Sequence, residues 1–221
     1  MRKVGKLYVP DEDTEWTPLI KAGRHKCYME LEIQCAMNAI SNRTTGTSSG
    51  CAIDVGANIG LFSRRIAQYF PKVLAFEPFY DTYECLMANT PFEVNATQKA
   101  VGDHEGQLHM CDPNGQKSSG HRRHLMDFEK TAITADMISL DSIEDFFDKS
   151  GLSLIKIDVQ GMEWEVVDGA MEVLRKHRPV IILEEHSVGS TTRAFKTTGR
   201  ILQEIGGDLV GLFKRNVVIS L

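Results

Sequence analysis

Three acids stand at the ends of apolar runs: Asp54 in "CAIDVGANIG", Glu77 in "VLAFEP" and Asp158 in "LIKIDVQG". At the carboxyl end of a buried strand, an acid faces the crevice where open α/β sheets take their ligands. Gly56, two residues after Asp54, gives the turn a backbone conformation closed to other residues, and Gly60 lets the following helix come close to a ligand or to the strand. Free amides at that helix start favour a carboxylate or a phosphate. A GxGxxG fingerprint aligned on Gly56 needs glycines where Asn58 and Leu61 stand, so a dinucleotide pyrophosphate fits poorly. Glu77, 23 residues after Asp54, is placed to accept both hydroxyl hydrogens of a ribose. A tight βα packing turn and a solvated strand-end acid are the structural alternatives.

Proton handling has three candidates. Asp158 ends a strand expected beside that of Asp54, Glu163 falls in the next helical turn, and His186 follows "VIILEE". Histidine is the side chain best matched to proton transfer near neutral pH, and the helix dipole favours a negative charge at Glu163. Strand alternation turns only one of Glu184 and Glu185 toward the crevice, and the sequence leaves open which. No metal ligand is assigned. The loop "DPNGQKSSGHRRH" gathers Lys117, His121, Arg122, Arg123 and His124, groups suited to an acidic substrate or to plain solvation. Trp16 and Trp164 offer stacking faces, with helix packing the better account of Trp164.

The elements that must position these residues alternate. A helix is expected over Cys27–Ile40, where Met29, Ile33, Ala36, Met37 and Ile40 recur at three- and four-residue steps. Small and polar residues from Ser41 to Gly50 read as a linker, and so do those of two loops, Asp112–His124 and Ser187–Gly199. Strands follow at "CAIDV", "KVLAFE", "EVNATQKAVG", "QLHMCD", "TADMISL", "LSLIKIDV" and "VIILEEH". Helices are read at "GLFSRRIAQYF", "DTYECLMANT", from Asp141 with Glu144 closing an acidic capping box, and as one piece over "MEWEVVDGAMEVLRKH". Strands separated by helices predict a mostly parallel sheet with helices on both faces, and "DLVGLFKRNVVISL" predicts an antiparallel edge hairpin.

The chain has 221 residues and a net charge of −5, which suits one domain and gives no general field for nucleic acid or an anionic membrane. Five scattered cysteines without CxxC spacing indicate reduced thiols and a cytoplasmic location. No run approaches a membrane span or a signal peptide.

Asp54-x-Gly56-x-x-x-Gly60 is the acid and glycine spacing of S-adenosylmethionine sites in methyltransferases. With "IDVGANIGLFS", "VLAFEP", "AVGDHEG", "ISLDSI", "LIKIDVQGMEWEVVDGA" and "RPVIILEEH" in order from Ile53 to His186, the chain resembles the FkbM-type family of S-adenosylmethionine-dependent methyltransferases. That resemblance implies a Rossmann-like class I fold with a seven-stranded, mostly parallel sheet whose last strand is antiparallel. It also implies S-adenosyl-L-methionine as cofactor and a hydroxyl oxygen of a sugar or small metabolite as acceptor. Carried over by position, Asp54, Gly56, Ala57, Asn58 and Gly60 surround the methionine moiety. Glu77 takes the ribose, Val101, Gly102 and Asp103 the adenine, and Asp158 the cofactor ammonium or the acceptor proton. Gln160 departs from the family, which usually shows Glu there, and puts that acid's role in doubt. Two other readings stand beside this one. They are nitrogen methylation of a nucleic acid or protein, against which the missing Asp/Asn-Pro-Pro-aromatic pattern weighs, and a methyltransferase-like module that binds without catalysis.

Overall fold

The structure, a computed structural model, describes residues 1–43, 50–111, 123–124, 133–147, 151–185 and 196–221. Its strands are β1 (Arg2–Val4), β2 (Leu7–Val9), β3 (Cys51–Val55), β4 (Val73–Phe76), β5 (Val94–Thr97), β6 (Ala100–Val101), β7 (Gly106–Cys111), β8 (Arg123–His124), β9 (Ile133–Ile138), β10 (Leu152–Ile157), β11 (Val180–Glu184), β12 (Asp208–Leu212) and β13 (Asn216–Ser220). The helices are α1 (Trp16–Lys21), α2 (Glu30–Arg43), α3 (Leu61–Ile66), α4 (Tyr80–Asn89), α5 (Glu163–Asp168), α6 (Met171–His177) and α7 (Lys196–Glu204).

Seven strands form the main sheet in the order β12-β13-β11-β10-β3-β4-β5. β11, β10, β3, β4 and β5 run parallel, while β13 pairs antiparallel with β11 and with β12. Every residue of β3, β4 and β11 is buried, as parallel strands covered on both faces must be. Alternation sorts their side chains between two cores. Ile53, Leu74, Ile155 and Ile181 pack with Val166, Val173 and Ile201 on the α5–α7 face. Ala52, Val73, Leu154 and Ile182 pack with Ile33, Ala36, Phe62 and Ile66 on the α2–α3 face. The chain lays β3, β4 and β5 outward in one direction and then crosses back to β10 on the other side of β3. The gap above β3 and β10 is therefore the topological switch point, where ligands bind in such sheets.

A second sheet, β6-β9-β7-β8, joins segments that the sequence pattern presents as separate strands. "EVNATQKAVG" accordingly divides: β5 closes the main sheet and β6 opens the second one. Several expectations need correcting. The helix expected at Cys27 starts at Glu30, because Cys27 ends a short 3-10 turn and Met29 takes a φ of +52°. It runs on through Ser41, Asn42 and Arg43, whose composition suggests linker; Arg43 donates to Ser220 Oγ and to the Arg178 carbonyl and is thereby tied to the sheet edge. Lys196–Gly199, expected as loop, form the first turn of α7, where the Glu185 carboxylate accepts from the Thr197 and Thr198 amides at 2.8 and 3.2 Å.

The long helix from Met162 to His177 is broken at Gly169. A Cβ there would lie 2.0 Å from the Gly102 carbonyl oxygen, and the Gly169 carbonyl accepts from the Asp141 amide at 2.8 Å. Asp141 does not form the expected capping box, since residues 141–146 make a 3-10 turn with no side-chain cap. Its carboxylate instead accepts from the Glu172 and Val173 amides at 3.2 and 2.9 Å and caps α6 from another element. Asp141→Ala is expected to lower stability by about 0.5–2 kcal/mol, the usual worth of such a cap, read as the shift in a urea midpoint at unchanged slope.

Candidate active site

At the carboxyl ends of β3, β4, β10 and β11 lies a cavity of about 420 Å³. One side is built from the β3–α3 turn and its neighbours: Gly56, Ala57, Asn58, Glu77, Phe79 and Val101. Gly56 holds a φ of +77°, and a Cβ there would stand 1.9 Å from the Asp158 carbonyl oxygen. Only glycine lets β3 and β10 close to this distance. Asn58, also at positive φ (+52°), turns its side chain back to accept from its own neighbour Ile59 N at 2.8 Å. Its backbone amide donates to Glu77 Oε2 at 2.8 Å, and Thr82 Oγ1 donates to Glu77 Oε1 at 2.7 Å. Glu77 thus ties the end of β4 to the β3 turn while its carboxylate borders the cavity.

The opposite side carries an acid cluster. Asp158 follows β10 and Glu184 ends β11, the adjacent parallel strand. The Gln160 side-chain amide donates to Asp158 Oδ1 and to Glu184 Oε2, each at 3.0 Å. Beneath them Lys156, 3% exposed, places its ammonium 3.0 Å from Asp54 Oδ1 and 3.5 Å from Asp158 Oδ2, and donates to the Gly56 carbonyl at 3.1 Å. Lys156 and Asp54 are direct partners in the β10–β3 register, so they share the α2–α3 face. Burial alone would lower the Lys156 pKa, but the charges of Asp54 and Asp158 override it and raise it. For Asp158, burial pushes up while Lys156 and the hydrogen bonds with Glu184 and Gln160 pull harder, and the net shift is downward. Burial, together with the hydrogen bond to Asp158 and its charge, pushes Glu184 up to about 9.

The third wall comes from the N-terminal segment. Trp16 Nε1 donates to Asn58 Oδ1 at 3.2 Å, and the Trp16 and Tyr28 rings meet edge to face with centroids 5.3 Å apart. Glu15, Leu19 and Met29 complete this wall.

Set against the expected site, the cavity gathers Gly56, Ala57, Asn58, Glu77, Val101 and Asp158. Of the described residues, Asp54, Gly60, Gly102, Asp103 and Glu163 do not border it. Asp54 is fully buried and held by Lys156 and by Ser63 Oγ at 2.6 Å, so it anchors the wall. Gly60 makes room for the Leu86 and Thr90 side chains, each 2.8 Å from the point that a Cβ would occupy. Glu163 accepts from the Gly161 and Val159 amides and braces the loop after β10; burial raises its pKa. Trp164 lies under the Arg200 guanidinium, 4.4 Å from its ring centre, away from the cavity. His186 lies outside the described residues, as does the basic loop apart from the backbone of Arg123 and His124.

Lys156 joins the site unannounced by the motifs; the structure also places there Gln160, Trp16 and, of the Glu184–Glu185 pair, Glu184. For Lys156 a signal exists in the chain itself: a lysine inside the apolar run "LSLIKI", two residues before Asp158, must find a charged partner if the strand is buried on both faces.

Strand order, the antiparallel terminal hairpin and a crevice above the first strand define the class I methyltransferase architecture. Residues 54–210 match the methyltransferase FkbM domain, and the chain belongs to that family. Among solved structures it is similar to the methyltransferase FkbM from Methylobacillus flagellatus KT, at 18% identity and a TM-score of 0.54, over 82% of this chain and 46% of that one. It is also similar to monomeric WbdD (11% identity, TM-score 0.49, 88% and 41% covered). A third likeness is to CalS11, a TDP-rhamnose 3′-O-methyltransferase of calicheamicin biosynthesis (10%, 0.49, 89% and 80%). The chain spans less than half the length of the first two. No curated protein sequence matches it significantly. Among the described residues, no helix is long and apolar enough to cross a membrane.

Proposed function

We propose that this methyltransferase uses S-adenosyl-L-methionine and methylates a hydroxyl oxygen of a small molecule or glycan. One juxtaposition carries the reading. A single cavity joins a glycine turn and a strand-end glutamate, suited to a ribose and an amino acid moiety, to a carboxylate pair suited to a proton. Its volume lies within the range of small-molecule sites. Gly56 lets the β3 turn close against the Asp158 backbone, which brings that turn and Glu77 to one wall of the cavity opposite the acids.

When bound, the cofactor supplies a methyl group on a sulfonium. This chain's residues then do the positioning. The Gly56–Asn58 turn and Glu77 hold the nucleoside and methionine portions, and Val101 meets the base. Asp158 and its neighbours face the acceptor, and Trp16 and Tyr28 close the wall above. Holding the two reactants in line is worth about 7–11 kcal/mol of barrier, against roughly 100- to 10,000-fold in rate for a general base. Alignment by this cavity therefore outweighs any one proton acceptor.

The test is calorimetry with S-adenosylhomocysteine and, separately, with NAD. Saturable heat is expected from the first and none from the second; the reverse result would remove the cofactor assignment.

A further inference from the structure

Two carboxylates, Asp54 and Asp158, meet one buried ammonium, and a third, Glu184, is joined to Asp158 through the Gln160 amide. Lys156 lies directly against Asp54 and Asp158, while Arg215 stands at the rim, largely exposed, 3.9 Å from Glu184 Oε1. Glu163 adds a further negative group from α5, and the Tyr28 hydroxyl faces the cluster from the N-terminal segment. Gln160, held at a φ of +60°, aims one amide nitrogen at both Asp158 and Glu184. Two carboxylates brought this close in a low-dielectric site do not both stay ionised; they share a proton. An amide at position 160 suits that arrangement, whereas another carboxylate there would add a further negative charge to the same buried group.

On the reading that the cavity takes S-adenosylmethionine, we infer that Asp158 and Glu184 act as one proton-sharing pair, held by Gln160, and that Glu184 is a catalytic residue which receives the acceptor proton together with Asp158. In the step, the acceptor oxygen forms a bond to the methyl carbon and the carbon–sulfur bond breaks, its electron pair staying on sulfur. The hydroxyl proton passes to the pair, whose negative charge falls by one. The sulfonium charge is cancelled in the same event, so charge balances without an ion from solvent.

The pair can be read without an acceptor. Sinefungin is an S-adenosylhomocysteine analogue that carries an amine where the transferable methyl stands, so its ammonium is directed at the acceptor side of the cavity. A cation placed there favours the doubly ionised pair and expels the shared proton. At pH 7, calorimetry in buffers of different ionisation enthalpy is expected to show release of more than about half a proton per site for sinefungin and close to none for S-adenosylhomocysteine. Glu184→Gln abolishes the release. In the unaltered protein, carbon-13 spectra of the glutamate carboxyls show one signal titrating far above the ordinary carboxylate range, as the Glu184 environment requires. If S-adenosylhomocysteine binds but sinefungin releases no proton, or if no such carboxyl signal exists, the shared pair is wrong while the cofactor reading stands. If neither compound binds, both fall together.

Discussion

Lys156→Met is expected to lower the stability of the protein by about 3–5 kcal/mol, the usual cost of leaving a buried ion pair half made. Asp54 is fully buried, and without the ammonium its charge keeps only the Ser63 hydroxyl at 2.6 Å among the contacts described above. Asp158 loses the same cation, and the Gly56 carbonyl loses its 3.1 Å donor. A methionine fills a similar volume, so the loss reads charge and not cavity. The sign with pH is fixed. In the unaltered protein the lowered Asp158 pKa contributes stability above the unfolded carboxylate value, and that contribution fades as pH falls through the folded one. In the variant Asp158 loses the lysine charge that pulls its pKa down, so burial is left to push it up and acid relieves it. The gap between the two proteins should be widest at neutral pH and narrow below about pH 4. Urea midpoints at pH 7 and pH 4 measure it. Adding Asp54→Asn should recover part of the loss at pH 7; equal stability of Lys156→Met and the parent at pH 7 would show that the ammonium is not what holds these strands' ends.

Gly56→Ala should abolish cofactor-site binding as well as destabilise. The φ of +77° alone costs an L side chain about 1–2 kcal/mol. The larger effect is steric, because the new methyl would sit 1.9 Å from the Asp158 carbonyl oxygen, a backbone atom that cannot swing away. β3 and β10 must part at their carboxyl ends, which displaces Asp158 from the Gly56 turn. A displacement on the order of 1 Å costs about 100-fold in rate at a site that works by alignment, and because the Gly56 turn itself borders the cavity, the affinity for S-adenosylhomocysteine should fall with it. Gly23→Ala separates the two contributions: its φ is +72°, and nothing lies within 4 Å of its Cβ position. It should lose only the conformational part and bind normally. Matching losses in both variants, by denaturation and calorimetry, would mean that the close approach of the two strands is unimportant.

Much of the molecule is legible in its sequence, for a local reason. Hydrophobic period and turn residues are written along the chain, so β3, β4, β10, β11, α4 and the terminal hairpin fall within a few residues of where those patterns place them. The glycine after Asp54 announces a positive φ, and the order of motifs announces the sheet. Where one element answers to another, local pattern misleads. The helix break at Gly169 is set by the Gly102 carbonyl and the Asp141 amide, both on distant segments. Asp141 looks like the cap of its own helix but caps α6. Asp54 looks like a ligand group but is consumed by Lys156, 102 positions away.

What the sequence determined by itself is the alternation of strands and helices through the core of the sheet, its mostly parallel sense, the terminal hairpin and the place of the crevice, because each follows from patterns within about twenty residues. What only the tertiary structure decided is which charges meet. Glu184 turns inward and Glu185 outward to α7, Lys156 falls opposite Asp54, and Trp16 reaches Asn58 from outside the family-matched region. Pairing of charges depends on strand register and on the packing of segments far apart in the chain, and a one-residue slip of β10 or β11 would turn Lys156 or Glu184 to the other face of the sheet.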